Sequence, residues 1–262
     1  MNQEKIGIVG VGMVGGSLSR YFQEIKKIDP ILFDPPKGFN DVEKLNQADI
    51  VFICVPTPYN EVSCSFDNKH LDEAFEVLQG QKIVVIKSTV LPGTTAEYQK
   101  KFPQHKILFN PEFLTEVTAD YDTKNPHRQI LGVTDQSNNV AEKVLALLAK
   151  APFEKIIKAE EAELVKYYNN CFYALKVAFV NQIYDLCQKL NVNYDVVKDC
   201  AKAEPMMGTN HFEVFHKGFR GYGGKCLPKD VRSLIKLGDE IGVNLSLLKT
   251  AEAYNNIFGK NK

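Results

Sequence analysis

The sequence lacks any imbalance of charge and any long hydrophobic run. Its 262 residues include 32 basic and 32 acidic side chains, so the formal net charge is zero. A chain without excess positive charge offers no electrostatic reason to expect nucleic-acid or membrane partners. Although 44% of the residues are hydrophobic, no apolar run is long enough to span a bilayer. We therefore predict a globular protein that binds neither nucleic acid nor membrane.

Targeting and metal-binding motifs are also missing. The segment Met1–Lys5 leads directly into a strand-like run, so we expect no signal peptide. The cysteines form no C-x-x-C pair, which removes the common zinc and dithiol motifs. Reduced thiols in the cytoplasm are the simplest interpretation, and we predict a cytoplasmic protein without a metal site. The six cysteines are Cys54, Cys64, Cys171, Cys187, Cys200 and Cys226.

A glycine-rich turn is the first motif that points to a ligand. It follows a predicted strand, Lys5–Val9, and precedes a helix pattern. A G-x-G-x-x-G pattern is weak alone, but between a strand and a helix it is typical of dinucleotide binding. Backbone N–H groups of such a turn face a pyrophosphate at the helix N-terminus. The turn is Gly10, Val11, Gly12, Met13, Val14 and Gly15, and the helix is predicted to bury Leu18, Tyr21, Phe22 and Ile25.

An acidic residue ends the second predicted strand. That strand is Ile31–Phe33, and Asp34 follows it directly. A carboxylate at this place can accept hydrogen bonds from the adenosine ribose hydroxyls, which favours NAD over NADP. Lys37 lies close in the sequence and weakens that preference slightly. We predict NAD as the cofactor, with Asp34 and Lys37 among the residues that bind it.

Apolar runs alternate with helix patterns up to residue 159. Strands alternating with helices predict a Rossmann-like, doubly wound parallel sheet. Ligands bind such sheets at the carboxyl ends of the strands, where Thr57, Thr89, Glu112 and Glu116 follow apolar runs. Further strands are predicted at Ile50–Val55, Lys82–Ile86, Ile107–Phe109, Gln129–Val133 and Phe153–Ile157, with helices around Leu71–Leu78 and Asn138–Lys150.

The pattern becomes entirely helical after Lys158. Glu160–Leu190 contains no strong breaker and is predicted to form one long helix, with shorter helices at Tyr194–Ala201, Pro228–Gly238 and Leu245–Phe258. We therefore predict an NAD-binding domain over residues 1–159 and a helical domain over residues 160–262. A long helix with this much apolar surface favours a two-fold homodimer. Its apolar residues include Tyr167, Phe172, Leu175, Phe179 and Ile183.

One thiol lies in a glycine-rich stretch, Gly221-Tyr222-Gly223-Gly224-Lys225-Cys226-Leu227-Pro228-Lys229-Asp230. Glycines permit positive φ and close approach of a ligand to the backbone. Pro228 suits the first turn of a helix, which would place Cys226 near a helix N-terminus that favours a thiolate. On the long helix, Lys166 and Asn170 are spaced i and i+4 and share a face. These residues and Asp230 are candidates for chemistry.

The motifs together follow one order along the chain. The order is G-x-G-x-x-G, V-P-T-P, K-S-T-V, N-P-E-F-L-x-E, A-E-x-x-K-x-x-x-N and G-Y-G-G-x-C-L-P-K-D. It resembles the UDP-glucose/GDP-mannose dehydrogenase family over nearly the whole chain, from Lys5 to about Asn256. The resemblance implies an NAD-dependent, four-electron oxidation of a nucleotide-sugar C6 alcohol to a carboxylate. The path would run through an aldehyde, a thiohemiacetal and a thioester.

The resemblance also implies roles for single residues. Cys226 would be the nucleophile, Lys166 an acid/base or oxyanion stabiliser, and Asn170 a donor to the same oxygen. Asp230 and Thr89 would position the hydrolytic water, with Glu116 nearby. The family pattern places Gly10, Gly12, Met13, Val14, Asp34, Thr57, Thr89 and Glu116 around NAD. The nucleotide sugar would contact Glu112, Lys166, Asn170 and Gly223.

The chain departs from the family pattern in its length. Family members continue into a second nucleotide-binding α/β domain, whereas this sequence ends at Lys262. The segment between Asp34 and Asp49 is also short. We therefore expect a shortened form that lacks the C-terminal UDP-binding domain.

Two other functions stay open at this point. One is a binding module that keeps NAD affinity and dimerises without turnover, which the missing domain favours. The other is a two-electron oxidation, as in related hydroxyacid dehydrogenases with Lys and Asn on the central helix. Retention of Cys226 and Asp230 argues against the two-electron reaction, because that chemistry needs no thiol.

Overall fold

Buried strands of branched and aromatic residues form the central sheet of the protein. The computed structural model describes residues 4–60, 65–224 and 226–259. The chain divides into an N-terminal unit, Met1–Asn60 with Phe66–Lys166, and a C-terminal unit, Glu61–Ser65 with Tyr167–Lys262. The strands up to this division are β1 (Ile6–Val9), β2 (Ile31–Phe33), β3 (Ile50–Ile53), β4 (Tyr59–Asn60), β5 (Ser65–Phe66), β6 (Ile83–Ile86), β7 (Lys106–Phe109), β8 (Arg128–Val133) and β9 (Phe153–Lys158).

The sheet of the N-terminal unit has seven strands in the order β2-β1-β3-β6-β7-β8-β9, and β4 pairs separately with β5. The strands β2, β1, β3, β6 and β7 are mutually parallel. Along β3 the side chains alternate, so that Phe52 packs on one face of the sheet and Val51 and Ile53 pack on the other. Burial on both faces is the expected property of a parallel sheet.

Helices cover both faces of this sheet, which confirms the predicted doubly wound class. The helices are α1 (Met13–Tyr21), α2 (Val42–Leu45), α3 (Lys69–Glu76), α4 (Thr94–Lys101), α5 (Ala119–Lys124), α6 (Ala141–Leu147) and α7 (Ala159–Leu190). Apolar residues of α1 and α6 pack on one face, and those of α2, α3, α4 and the start of α7 pack on the other.

The direction of β8 differs from the prediction of a wholly parallel sheet. β8 runs antiparallel to β7, with Leu108 opposite Val133, and β9 runs parallel to β8. A parallel neighbour needs a crossover connection, usually a helix packed along the sheet. The segment between β7 and β8 contains only the short helix α5, which packs on α1 instead. The chain therefore returns beside β7 in the opposite direction.

The first helix also differs from its predicted pattern. Leu18, Tyr21 and Phe22 are buried as expected, but Ile25 is 55% exposed. The α-helix ends at Tyr21, and a π-helical turn over Phe22–Lys26 follows it. A π turn contains more residues than an α turn, so Ile25 rotates away from the buried side.

The C-terminal unit is mainly helical. Its long helix α7 has 32 residues, which confirms the predicted uninterrupted helix. A core of Cys171, Ala174 and Val177 from α7 packs with Val231 and Leu248. The later elements are α8 (Tyr194–Lys202), β10 (Phe215–His216), β11 (Phe219–Arg220), α9 (Leu227–Glu240) and α10 (Ser246–Asn255).

Two sequence predictions concern the chain as a whole. The division between the two compact units falls within α7, between Lys166 and Tyr167. The predicted domain boundary between residues 159 and 160 stays a prediction. Within the ranges that the structure describes, no helix combines the length and the apolar composition that a membrane crossing needs.

Candidate active site

The glycine turn between β1 and α1 is shaped by close backbone packing. Gly10 has a φ of +86°, and a Cβ atom there would lie 2.7 Å from the Cys54 carbonyl oxygen. A Cβ on Gly15 would lie 1.9 Å from the Gly10 oxygen. Gly12, the N-cap residue of α1, would meet no atom within 4 Å. The outer glycines are needed for packing, and the space at Gly12 fits a pyrophosphate at the helix N-terminus.

Asp34 and Lys37 both contact this turn. The Val11 N–H donates to Asp34 Oδ2 over 2.7 Å, and Lys37 Nζ donates to the Val11 oxygen. Among the described residues, Asp34 Oδ1 accepts no hydrogen bond, so it is available to a ribose hydroxyl. The structure thus brings both predicted residues to the glycine turn. Their roles in cofactor binding stay predictions.

Two loops at the carboxyl ends of β3 and β6 are joined by side-chain hydrogen bonds. Thr57 is buried, and its hydroxyl donates to the Thr89 carbonyl oxygen over 2.7 Å. The Ser88 hydroxyl donates to the Val55 oxygen, also over 2.7 Å. The Thr57 proton is therefore used within the protein, whereas the side chain of Thr89 is half-buried.

Glu116 lies beside the N-terminal part of α1. A cleft of about 410 Å³ is lined by Met13 and Glu116, together with residues of α5. Arg20 on α1 pairs with Asp120 on α5 at 2.5 Å and fixes the position of α5. The predicted cofactor residues Met13 and Glu116 therefore share one cleft.

Glu112 and Lys166 form a buried ion pair. Lys166 Nζ donates to the Glu112 carbonyl oxygen and to Glu112 Oε1, each over 2.7 Å. Glu112 Oε2 accepts the Leu114 N–H over 2.9 Å. Burial raises the pKa of Glu112, but Lys166, the Leu114 N–H and Lys87 together lower it below the ordinary value. Glu112 is thus an anion that holds the lysine in place.

Lys87, from the K-S-T-V motif, is a residue near this pair to which the sequence analysis gave no role. Its ammonium donates to Asn110 Oδ1, and Asn110 Nδ2 donates to the Ile130 oxygen over 2.8 Å. Burial lowers the pKa of Lys87, and the charge of Lys166 lowers it further, although Glu112 opposes both. Its position directly after β6, at the edge of the sheet where ligands bind, could have indicated Lys87 as a candidate site residue.

Asn170 and Asp230 are joined within the C-terminal unit. Asn170 Nδ2 donates to Asp230 Oδ2 over 2.5 Å, and both side chains are buried. Asp230 Oδ1 lies 3.0 Å from Lys229 Nζ. The nearby cation and the amide donor offset part of the cost of burying this carboxylate. The structure therefore brings together two residues that the sequence placed 60 positions apart.

Cys226 is the N-cap residue of α9, as predicted, and its side chain is exposed. Pro228 lies in the first turn of this helix. The Asp230 N–H donates to the Cys226 carbonyl oxygen over 3.0 Å, which places Asp230 one turn after the thiol. By contrast, Cys171 is buried, and burial together with Asp230 raises its pKa to about 12. Lys225 of the motif and Cys64 lie outside the described residues.

The glycine loop before Cys226 is held by α10. Asn255 Oδ1 accepts the Tyr222 N–H over 2.8 Å, and Asn255 Nδ2 donates to the Tyr222 oxygen over 2.9 Å. The Tyr222 hydroxyl donates to Glu252 over 2.6 Å. A Cβ on Gly221 would lie 2.4 Å from Asn255 Oδ1, so glycine is required there. The half-buried Gly223 follows directly, and its predicted contact with substrate stays a prediction.

The predicted site residues thus fall into two groups. Those from the glycine turn to Lys166 belong to the N-terminal unit, and Asn170, Gly223, Cys226 and Asp230 belong to the C-terminal unit. Lys166 and Asn170 lie one helical turn apart on α7. The N-terminal unit supplies a paired lysine and a glycine turn, and the C-terminal unit supplies a thiol and a buried carboxylate.

Comparisons with known proteins identify relatives of this chain. Residues 37–150 match the NAD binding domain of the UDP-glucose/GDP-mannose dehydrogenase family, and residues 160–257 match the central domain of that family. UDP-glucose 6-dehydrogenase from Rhizobium meliloti is 34% identical over 224 aligned positions, which cover 79% of this chain and 50% of that protein. The Campylobacter jejuni enzyme of the same name is 29% identical, and the alignment covers 97% of this chain and 72% of that protein.

A solved structure extends the comparison to the fold. UDP-glucose dehydrogenase from Pyrobaculum islandicum has a TM-score of 0.84 at 25% identity, covering 98% of this chain and 68% of that chain. The chain spans about half the length of the first curated relatives it matches. The matched NAD binding domain confirms the predicted cofactor. With two domain matches of one family in sequence order, the chain belongs to the UDP-glucose/GDP-mannose dehydrogenase family.

Proposed function

We propose that this protein oxidises the C6 alcohol of a nucleotide sugar, such as UDP-glucose, to the carboxylate with NAD, and that Cys226 is the covalent nucleophile. The observation that carries this proposal is the arrangement at the start of α9. Cys226 is exposed at the helix N-cap, and Asp230 is buried one turn later against Asn170. A helix N-terminus favours the thiolate, which is the nucleophilic form of cysteine.

The reaction balances with the groups that the chain supplies. When bound, NAD⁺ accepts one hydride in each of the two oxidations. The alcohol loses a hydride and a proton to give the aldehyde, and the Cys226 sulfur then bonds to the aldehyde carbon as a thiohemiacetal. Loss of a second hydride and a proton gives the thioester, and water cleaves its C–S bond. In total, alcohol, two NAD⁺ and one water become carboxylate, two NADH and three protons.

Lys166 is proposed to act on the reacting oxygen. An ammonium has three N–H donors, and two of them are directed at the Glu112 carbonyl and carboxylate oxygens. The third is therefore available for a substrate alkoxide or oxyanion. Because Glu112 holds the side chain in one position, the donor is oriented before the substrate binds, which is the condition for electrostatic stabilisation.

Asn170 and Asp230 are proposed to act on the same oxygen and on the hydrolytic water. Asp230 accepts one N–H of the Asn170 amide, so the other N–H is left for the substrate. The pairing with Lys229 balances the charge of the buried carboxylate. Asp230 can then accept a proton from the water that attacks the thioester, with Thr89 and Glu116 assisting.

The cofactor is proposed to bind along the glycine turn. The open space at Gly12 and the first turn of α1 suit the pyrophosphate. Asp34 Oδ1 is available for the ribose hydroxyls, with Lys37 and Val11 beside it. The cleft shared by Met13 and Glu116 lies at the same end of α1 and suits a further part of the cofactor.

A variant of the thiol tests this function. Cys226→Ser should abolish formation of the acid, because the hydroxyl of serine is a weaker nucleophile and an oxygen ester is a poor replacement for the thioester. NAD binding should stay unchanged. Each protein is incubated with NAD and UDP-glucose, UDP-N-acetylmannosamine or GDP-mannose, and NADH and the acid are measured by absorbance and mass spectrometry. Cys200→Ser is the control, because Cys200 is also exposed.

Two results would contradict the proposal. Unchanged acid formation by Cys226→Ser would remove the thioester route but leave an enzyme. An unmutated protein that binds NAD and produces no NADH with any of the three sugars would leave a binding module without turnover.

We further propose that the protein forms a homodimer through α7. Apolar side chains recur along this helix at heptad-like spacing and are more than half exposed, including Phe172 at 56%, Phe179 at 55% and Leu186 at 53%. Tyr167, which the sequence analysis counted with this surface, is fully buried and cannot contribute to it. A self-complementary helix face fits a two-fold interface.

A further inference from the structure

The carboxylate of Glu163 is buried, yet it has no part in the chemistry proposed above. It lies in the second turn of α7 and is fully inaccessible. Glu163 Oε2 accepts the Gly93 N–H over 2.6 Å. Glu163 Oε1 accepts the Thr95 N–H over 2.8 Å and the Thr95 hydroxyl over 2.5 Å. Three donors from one short segment therefore converge on this carboxylate.

These contacts make Glu163 the cap of a different helix. The first N–H groups of an α-helix have no partner within the helix, and a negative charge is favoured beside them. Gly93 is the N-cap residue of α4 and has no side chain to accept those hydrogen bonds. Glu163 supplies the acceptor from α7, 70 positions further along the chain.

The capped helix follows the loop that carries Thr89. At the start of this loop, the Lys87 N–H donates to the Ile53 oxygen over 2.8 Å. In the middle, the Thr89 oxygen accepts the Thr57 hydroxyl. At its end, Gly93 is held by Glu163. The position of Thr89 therefore depends on these attachments together with the bond of the Ser88 hydroxyl to the Val55 oxygen, and Glu163 supplies the one made by α7.

The first turns of α7 are fixed against the sheet by close packing. A Cβ on Gly132 in β8 would lie 2.8 Å from the Ala162 Cβ and 2.9 Å from the Ala159 Cα. The helix therefore rests directly on the backbone of β8. This placement of α7 on β8 brings Glu163 to the start of α4 and also brings Lys166 to Glu112.

We propose that Glu163 is a positioning residue for cofactor binding, which acts through Thr89 by fixing the loop between β6 and α4. The inference rests on the proposed function, in which Thr89 binds NAD. It adds a role for α7 in the N-terminal unit besides that of carrying Lys166. Glu163 exerts its effect through the loop rather than by contact with NAD.

The first test is the affinity for NAD of Glu163→Gln. Glutamine has nearly the same size, but its amide carries a donor that must face one of the N–H groups of Gly93 and Thr95. We expect NAD to bind about tenfold more weakly, or about 1.4 kcal/mol. Affinity is measured by calorimetry at pH 8, at a temperature where circular dichroism shows every variant folded. Glu160→Gln is the matched control, because Glu160 is exposed on the same helix, and it should bind NAD like the unmutated protein.

A double-mutant cycle with Thr89→Ala then tests the route of the effect. If Glu163 acts through Thr89, the double variant should bind NAD no more weakly than Thr89→Ala alone. Fully additive losses would overturn the proposal, as would a Glu163→Gln variant that melts at a lower temperature but binds NAD normally. Failure of the unmutated protein to form acid would contradict the catalytic proposal without altering this binding measurement. Absence of any NAD binding would remove both.

Discussion

Asp34 uses its two carboxylate oxygens for different purposes. Oδ2 accepts the Val11 N–H and supports the glycine turn, whereas Oδ1 is the oxygen that we propose for the ribose hydroxyls. We predict that Asp34→Ala weakens NAD binding by about 1–3 kcal/mol, the scale of hydrogen bonds lost from a charged acceptor. Calorimetric titration measures the loss.

The asparagine variant separates these two purposes. Asp34→Asn retains an acceptor for Val11 but loses the charge, so its affinity should lie between those of the alanine variant and the unmutated protein. Equal or tighter binding of NADP than of NAD by the unmutated protein would contradict the assignment of Asp34.

Glu163 gives the N-terminal unit a stability that depends on pH. Burial raises the pKa of Glu163 to about 7 from an ordinary 4.5, although the donors of Thr95 and Gly93 oppose the increase and Glu160 adds to it. Between these two values the folded state holds a proton that the unfolded state has lost. The contribution of this group to the free energy of unfolding is therefore complete below about pH 4.5 and decreases as the pH rises to about 7.

The expected result follows from comparing the protein with Glu163→Gln, which cannot titrate at this position. The unmutated protein should lose stability relative to the variant between pH 5 and pH 8. Urea unfolding at both pH values measures this difference. Curves whose separation is the same at both pH values would show that the carboxyl does not titrate in this window.

At the level of residues, the sequence indicates candidate site residues but not the partners that hold them in place. Cys226, Lys166 and Asp34 stand in motifs whose spacing is visible along the chain. The pairing of Lys166 with Glu112 joins residues 54 positions apart, and the bond of Asn255 to Tyr222 spans 33. Such contacts depend on the packing of whole elements, and no local pattern encodes them.

In the turn between β1 and α1, Gly15 is in a crowded position, whereas Gly12 faces open space. A Cβ on Gly15 would lie 1.9 Å from the Gly10 oxygen, whereas a Cβ on Gly12 would meet no atom within 4 Å. We predict that Gly15→Ala lowers the melting temperature, because the turn must move. Gly12→Ala should leave the melting temperature unchanged and weaken NAD binding, because its methyl group enters the space proposed for the pyrophosphate.

Thermal unfolding and NAD titration of the two variants provide the measurement, and each variant serves as the control for the other. A Gly12→Ala protein with normal NAD affinity would mean that the cofactor does not approach the turn there.

Helices and strands were predictable where a periodic pattern continued, and less so where it was interrupted. The run Glu160–Leu190 has no breaker, and the structure has one helix there. Ile25 continues the apolar spacing of α1, but the π turn after Tyr21 shifts it to the surface. The hydrogen bonds that widen a turn leave no mark in the order of apolar residues.

The assembly of the whole molecule is tested at the exposed side of α7. We predict a homodimer for the unmutated protein at micromolar concentration and a monomer for Phe179→Asp, because a charge at an apolar interface is left unpaired. Sedimentation velocity measures both masses. Gln188→Asp introduces the same charge at an exposed polar position on the opposite side of the helix and should remain dimeric. A monomeric mass for the unmutated protein would remove the proposed interface.

The class of the fold followed from the alternation of strands and helices, whereas the direction of β8 and β9 did not. Apolar runs at Gln129–Val133 and Phe153–Ile157 read the same in either direction. What decides their direction is whether the preceding helix crosses the sheet, and α5 packs on α1 instead. This choice depends on contacts such as that of Arg20 with Asp120, which are 100 positions apart.

The reversed direction of β8 and β9 determines where α7 places Lys166. β9 points away from the edge at which β6 and β7 end, and α7 begins immediately after it. A helix that folds back over the sheet from there travels toward that edge, where the loops after β6 and β7 receive Glu163 and Lys166. If β9 were parallel to β7, α7 would begin at the edge where β6 and β7 end. The helix would then run away from that edge and take Lys166 with it. The antiparallel pairing of β7 with β8 thus determines that α7 brings Lys166 to the edge of the sheet at which β6 and β7 end.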